Sequence, residues 1–298
     1  MRVGGVGRVR LGIVTPVVTR LPGAHARWEE DAGIEEISRV VVKAERLGYD
    51  FCTCSEHVAV PADVAAVRGA TYWDPLATFG YLAARTSTIR LATFVLVLGY
   101  HHPLAIAKRY GTLDAVSGGR VVLGVGVGTL EEEFVLLGAE FEHRGPMADD
   151  ALRALRAGLS SREPRYDGDY YAFGGFVVDP NATQSHVPIW IGGRTARSLR
   201  RAVELGDGWA PFGLRSAELA GLLEQARATP AWSARTEPLD VIVQNDRPFD
   251  PSGEPDRVAE QIEKYRALGA TALAARFVHH SVDHYCEQLA ALAQLVLP

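Results

Sequence analysis

Residues Ile89–Gly128 read IRLATFVLVLGYHHPLAIAKRYGTLDAVSGGRVVLGVGVG, and the reading of this stretch decides the fold. It opens on an apolar run, Ile89–Leu98, with the branched side chains that suit a pleated strand. A helix follows from Pro103, whose missing N–H costs nothing in a first turn, and stops before Gly118-Gly119. A second apolar run, Val121–Gly128, starts at once. Two strands joined by a helical crossover are parallel members of one sheet.

The alternation continues on both sides. Upstream, Val9–Val17 reads as a strand and Gly33–Leu47 as a helix, with Ile34, Ile37, Val40, Val41, Ala44 and Leu47 at helical intervals and Gly48 as its cap. Phe51–His57 is the next strand, and Asp74–Thr86 the next helix, with Asp74 as N-cap and Pro75 in the first helical position. Downstream come helical segments over Leu130–Leu137 and Met147–Leu159, then strands over Pro188–Gly193, Gly208–Phe212, Leu239–Gln244 and Ala270–Phe277. Helices over Ala196–Leu205, Ala217–Ala228, Asp256–Leu268 and Val282–Val296 follow these strands in turn. One segment breaks the pattern. Tyr166–Val178 reads as a hairpin with Asp167-Gly168 as its turn signal, and Asp179–His186 as a loop.

Eight strands, each followed by a helix and with no Pro/Ser-rich linker, predict an α/β protein, a single (β/α)8 TIM barrel over residues 1–298 with an insertion between strands four and five. A doubly wound sheet would need fewer strands and a dinucleotide fingerprint near its start. GVGVGT at Gly124–Thr129 lacks the third glycine at the right offset.

Composition narrows the partners. The chain has 298 residues, 47% hydrophobic and 22% charged, with a formal net charge of −5. Acidic and basic residues are interspersed, so no basic block tracks a phosphate backbone and nucleic acid is not an expected partner. Lysine occurs only at Lys43, Lys108 and Lys264 beside abundant arginine, the bias of high-GC coding. Cys52, Cys54 and Cys286 form no disulfide framework, which fits a reducing compartment. The opening MRVGGVGRVRLGIVTPV lacks a signal-peptide run and no stretch reaches membrane-spanning length, so a cytoplasmic protein without a membrane partner is expected.

In such a barrel the reactive end is the carboxyl end of the strands. Glu56-His57 ends the second strand, where a histidine can exchange a proton near neutral pH and a carboxylate can orient it. The plainer alternative is that both only cap a loop. Gly124, Gly126 and Gly128 alternate along the fourth strand, either because something flat lies over it or because the barrel is tightly packed there. Gly192-Gly193-Arg194-Thr195 opens a helix directly after the fifth strand; bare N–H groups, a helix dipole, an arginine and a hydroxyl make an anion site. His280 and His284 are spaced like metal ligands, but the rest of a zinc pattern is missing, so no metal is expected. No G-x-S-x-G elbow is present.

Leu47–Pro61 (LGYDFCTCSEHVAVP), Tyr72–Gly128 and Pro188–Phe212 (PIWIGGRTARSLRRAVELGDGWAPF) together resemble the luciferase-like monooxygenase superfamily, in particular its F420-dependent oxidoreductase branch. The likeness runs over nearly the whole chain in order. It implies that Glu56 and His57 lie against a deazaflavin, with His57 the proton-transferring group. It implies a non-prolyl cis peptide at Phe94-Val95, after Thr93, that backs the ring. Gly126, Gly128 and Thr129, within the loop running to Glu133, would line the cofactor, and Gly192, Gly193, Arg194 and Thr195 would hold its phosphate. One departure stands out: some deazaflavin dehydrogenases carry a catalytic glutamate just after the strand-four glycines, where this chain has Thr129, which argues against a sugar-phosphate dehydrogenase.

The expected activity is hydride transfer between F420 and a small organic substrate. An FMNH2-dependent two-component monooxygenase, supplied by a separate reductase, and a non-catalytic flavin- or deazaflavin-binding protein are the alternatives. The resemblance implies a homodimer. The insertion Tyr166–His186, with Tyr100, His101, His102 and Arg276 at the mouth, would select the substrate, a largely uncharged compound.

Overall fold

Eight short strands pair in parallel, each with the next in the chain. They are β1 (Arg10–Ile13), β2 (Phe51–Cys54), β3 (Arg90–Thr93), β4 (Val121–Gly126), β5 (Ile189–Gly192), β6 (Gly208–Ala210), β7 (Asp240–Gln244) and β8 (Ala272–Ala275). The order returns on itself through β8–β1 pairing, Arg10 opposite Ala272, so the sheet closes into the predicted (β/α)8 barrel. This is a computed structural model that describes residues 8–297; Met1–Gly7, the start of the stretch read for a signal peptide, lie outside the described residues.

The main outer helices are α1 (Ile34–Arg46), α2 (Pro75–Arg85), α3 (Pro103–Ser117), α4 (Arg144–Leu159), α5 (Ala196–Leu205), α6 (Ser216–Arg227), α7 (Pro255–Ala267) and α8 (Val282–Val296). Their ends follow local chemistry. Asp74 accepts from Ala77 N at 2.8 Å to cap α2. Gly118 closes α3 at φ 72, a left-handed conformation that glycine adopts without a Cβ penalty. Short elements fill the mouth: the expected helical segment after β4 runs over Glu131–Leu136, and a helix over Ala62–Arg68 and an antiparallel pair of Thr19–Arg20 with Thr71–Tyr72 were left unread by the periodicity.

Outward-facing strand residues such as Leu11, Ile13, Cys52, Leu123, Ile191 and Trp209 pack under the helices, while Phe51, Ala92, Val122, Trp190, Ile242 and Ala274 fill the barrel. Phe51 and Trp190 meet edge-to-face at 5.1 Å between ring centroids. At the amino end of the barrel Arg10 pairs with Asp240 at 2.6 Å and with Asp50 at 3.2 Å, and Arg90 also pairs with Asp50. That ionic floor leaves the opposite end as the open one.

The insertion is a hairpin, but with a wider loop than Asp167-Gly168 suggested. Tyr166–Asp167 pairs with Ala172–Phe173, so Asp167 lies in the strand and the chain turns over residues 168–171. The Asp150 carboxylate of α4 reaches into that loop and accepts from Tyr170 N and Tyr171 N, both at 2.9 Å, and from the Tyr166 hydroxyl. A two-residue turn could not present those N–H groups. Among the described residues no helix is long and apolar enough to cross a membrane.

Candidate active site

At the carboxyl end β3 stops at Thr93, the Phe94-Val95 peptide is cis, and the chain rejoins β4 through Leu96 opposite Val125. The end of β2 holds this bulge residue by residue. Phe94 N donates to Cys54 O at 2.8 Å, the Ser55 hydroxyl to Phe94 O at 2.8 Å, and Glu56 N to Val95 O at 3.2 Å. The Glu56 carboxylate then accepts from Val97 N at 2.7 Å, beyond the bulge.

Two of the alternating glycines, Gly124 and Gly126, are explained by the same bulge, as is Gly192 on the next strand. A Cβ on Gly124 would stand 1.9 Å from Thr93 O, one on Gly126 2.8 Å from Val95 Cγ2, and one on Gly192 2.8 Å from Val95 Cγ1. The space they leave is occupied by the neighbouring strand, so the tight-packing reading of the alternation holds and the pattern does not itself mark a ring. Thr93 is fully buried, its hydroxyl donating to Gly124 O at 2.7 Å, so its side chain has no face on the mouth. Phe94 and Val95 are half-buried and present an apolar surface there.

Two carboxylate–histidine pairs flank this surface. Glu56, buried, also meets His101 Nε2 at 2.7 Å, while Arg109 donates to His101 Nδ1 at 3.3 Å. His57 Nδ1 meets Glu133 Oε2 at 2.7 Å, and the imidazole packs on the Tyr72 ring at 4.5 Å. Glu133 is fully buried and also receives the Tyr100 hydroxyl at 2.6 Å, Val58 N at 2.5 Å and Ala59 N at 3.1 Å. Burial alone would raise its pKa, but the hydrogen bonds from Tyr100, His57 and Ala59 N outweigh it and hold the carboxyl below its usual range. Burial and the bond to Glu133 push the Tyr100 hydroxyl far up, so it stays protonated.

Glu56 and His57, Thr93, Phe94 and Val95, Gly126 and Gly192 thus come together around the bulge. Gly193 follows at φ 130, where a Cβ would stand 2.7 Å from Ser198 Cβ, so only glycine leaves this turn open. Thr195 caps α5 by accepting from Ser198 N at 3.2 Å, and the N–H groups of Ala196 and Arg197 have no partner among the described residues. Arg194 is exposed and leans 5.8 Å from the Phe212 ring centroid, and Thr129 is exposed on the loop after β4. Gly128, at φ 78, faces the Phe134 ring rather than open space.

Glu133 was named from the sequence only as the end of the loop after β4, and its part in holding His57 was missed. A signal was present: Leu130, Glu133, Phe134 and Leu137 share one helical stripe, and a carboxylate in an apolar stripe needs a buried partner. On the far side of the barrel a cavity of about 260 Å³ opens between the loops after β6 and β7, lined by Phe212, Gln244, Asn245, Tyr265 and Arg276. His280 lies before α8, its ring 4.1 Å from that of His284, and no group of three or more metal-ligating side chains occurs among the described residues.

The chain belongs to the luciferase-like monooxygenases, whose family profile matches residues 9–248. An uncharacterized protein of Mycobacterium tuberculosis is 34% identical over 266 residues, 83% of this chain and 90% of that one. Among solved structures, the monooxygenase RslO1 from Streptomyces bottropensis is similar at a TM-score of 0.79 and 20% identity, over 97% of this chain and 99% of that one. The coenzyme F420 dependent tetrahydromethanopterin reductase from Methanopyrus kandleri is similar at 0.74 and 17% identity, over 98% and 99%. At these identities the two structures share the fold.

Proposed function

We propose that this protein is an F420-dependent oxidoreductase that moves a hydride between the deazaflavin and a small organic substrate. The observation that carries the reading is the coupling of Ser55-Glu56-His57 to the Phe94-Val95 bulge, which sets one proton-exchanging side chain beside a half-buried apolar surface. The reduced or oxidised deazaflavin, when bound, supplies a carbon that gives or takes the hydride.

The chain's residues do the rest. Phe94 and Val95 support the flat ring system, and Glu56, tied to Val97 N, keeps that surface in place. The turn at Gly192-Gly193 and the unpaired first-turn N–H groups of α5 suit a phosphate, with the helix dipole in its favour and Arg194, Thr195 and the Gly126–Thr129 loop at the rim. His57 exchanges a proton with the substrate heteroatom as hydride moves. The cavity beside Gln244 and Arg276 leaves room for the far end of the substrate across the mouth.

The test is a fluorescence titration of purified apo-protein with F420 and, separately, with FMN. Saturable micromolar or tighter F420 binding with much weaker FMN binding is expected. The reverse preference overturns the reading in favour of the oxygen-using flavin branch with its separate reductase. Retention of either cofactor with no turnover of any acceptor would instead make it a binding protein.

A further inference from the structure

Glu133 lies 76 residues from His57 in sequence, yet it fixes what that histidine can do. A carboxylate offers four acceptor positions, two on each oxygen. All four are taken. Val58 N and Ala59 N, at 2.5 and 3.1 Å, occupy Oε1; the Tyr100 hydroxyl and His57 Nδ1, at 2.6 and 2.7 Å, occupy Oε2. Backbone N–H groups only donate, so Oε1 carries no proton. Tyr100, half-buried against this carboxylate, keeps its own proton and donates it to Oε2. Ringed by these donors, which hold its carboxyl below the usual range, Glu133 is ionised, so the imidazole nitrogen facing Oε2 at 2.7 Å is an N–H.

We infer that Glu133 is the positioning residue of this site: it holds the neutral His57 ring in the Nδ1–H tautomer, leaving Nε2 as the one nitrogen that exchanges a proton. The three other donors to Glu133 favour its ionised form, so it accepts from the ring and acts as a fixed anion. The neighbouring histidine is set the other way. Arg109 can only donate, so His101 Nδ1 accepts and its Nε2–H goes to Glu56. Both nitrogens of His101 are committed, which leaves His57 as the exchangeable group of the pair. That Nε2 serves the substrate rests on the function proposed above; the tautomer does not.

The test is nuclear magnetic resonance of the full-length apo-protein labelled with 15N-histidine, the His57 signals being those absent from His57→Gln. In the wild type Nδ1 is expected at a protonated, pyrrole-type shift and Nε2 at a bare, pyridine-type shift. Glu133→Gln should exchange the two. Its amide oxygen must face Val58 N and Ala59 N, which cannot accept, so its NH2 faces His57 Nδ1 and drives the proton to Nε2. Tyr100→Phe removes a donor from Oε2 but leaves the Glu133–His57 bond, and should keep the wild-type pattern. An Nε2–H wild type, or a Glu133→Gln protein that keeps Nδ1–H, would overturn the assignment. If Glu133→Gln does not fold, the wild-type and Tyr100→Phe spectra decide alone. A protein that shows the expected tautomer and yet fails to bind F420 would sink the proposed function and leave this assignment standing.

Discussion

Gly124 contributes to the site through what it lacks. Its missing side chain makes room for Thr93 O, and an ideal Cβ there would stand 1.9 Å from that backbone oxygen. Backbone cannot rotate aside as a flexible side chain can, so Gly124→Ala must displace the Phe94-Val95 bulge or the strand beneath it. Overpacking of this kind costs about 1–3 kcal/mol. Urea denaturation should report that loss, and a larger proportional loss of F420 binding is expected because the displaced segment is the surface proposed to support the ring. Unchanged binding in a folded Gly124→Ala protein would show that this surface is not used. His57 illustrates the complementary point. Its position at a strand end was legible from SEH in the sequence, whereas its orientation depends on Glu133, Tyr100 and Tyr72, which arrive from three other segments.

At the scale of elements, one carboxylate gathers the loop of the insertion hairpin, beside the packing of His102 on Tyr171 and Phe173. Asp150 on α4 gathers Tyr166 Oη, Tyr170 N and Tyr171 N, and its pKa lies below the usual range because these hydrogen bonds outweigh its desolvation. Asp150→Ala leaves two loop N–H groups and a hydroxyl without that acceptor. Amide hydrogen exchange around Tyr170 and Tyr171 should accelerate by roughly tenfold, equivalent to about 1.4 kcal/mol, with the barrel strands unaffected. Equal acceleration in the barrel would mean that Asp150 supports the whole fold rather than the hairpin. The helices, in contrast, were nearly complete in the sequence. Ala196–Leu205 and Val282–Val296 match to the residue, because the capping residues and apolar spacing that set them are local. The hairpin loop was misjudged because its width is set by Asp150, which the local turn signal does not contain.

For the whole molecule, the first and last βα loops close against each other through His279. Trp28 Nε1 donates to His279 Nδ1 at 2.9 Å, the ring packs on Tyr285 at 5.0 Å, Glu29 lies 3.6 Å away, and His280 and His284 stand nearby. Burial first, then the two neighbouring histidines, lower its pKa from 6.5 to about 4. The unfolded chain therefore binds this proton more readily than the folded one. Stability contributed by keeping His279 neutral is whole above 6.5 and is lost progressively as pH falls from 6.5 toward about 4. Urea midpoints measured across that window should fall with pH, and His279→Gln should flatten the slope. A variant with the wild-type slope would show that another group carries the dependence.

The sequence by itself determined the repeating strand-and-helix plan, the end of the barrel at which the chemistry is expected, and the glycines at which something must approach the strand closely. Each of these follows from spacing within a few residues: the helical and strand periods, capping chemistry, and the absence of a Cβ. Only the tertiary structure decided that Gly124 and Gly126 make room for the bulge, that Thr93 is buried away from the mouth, and that Glu133 rather than Glu56 orients His57. Those outcomes depend on which buried donors and acceptors meet across strands far apart in the chain. A buried carboxylate must satisfy its lone pairs with whatever closure of the barrel brings to it, and no local pattern specifies that set.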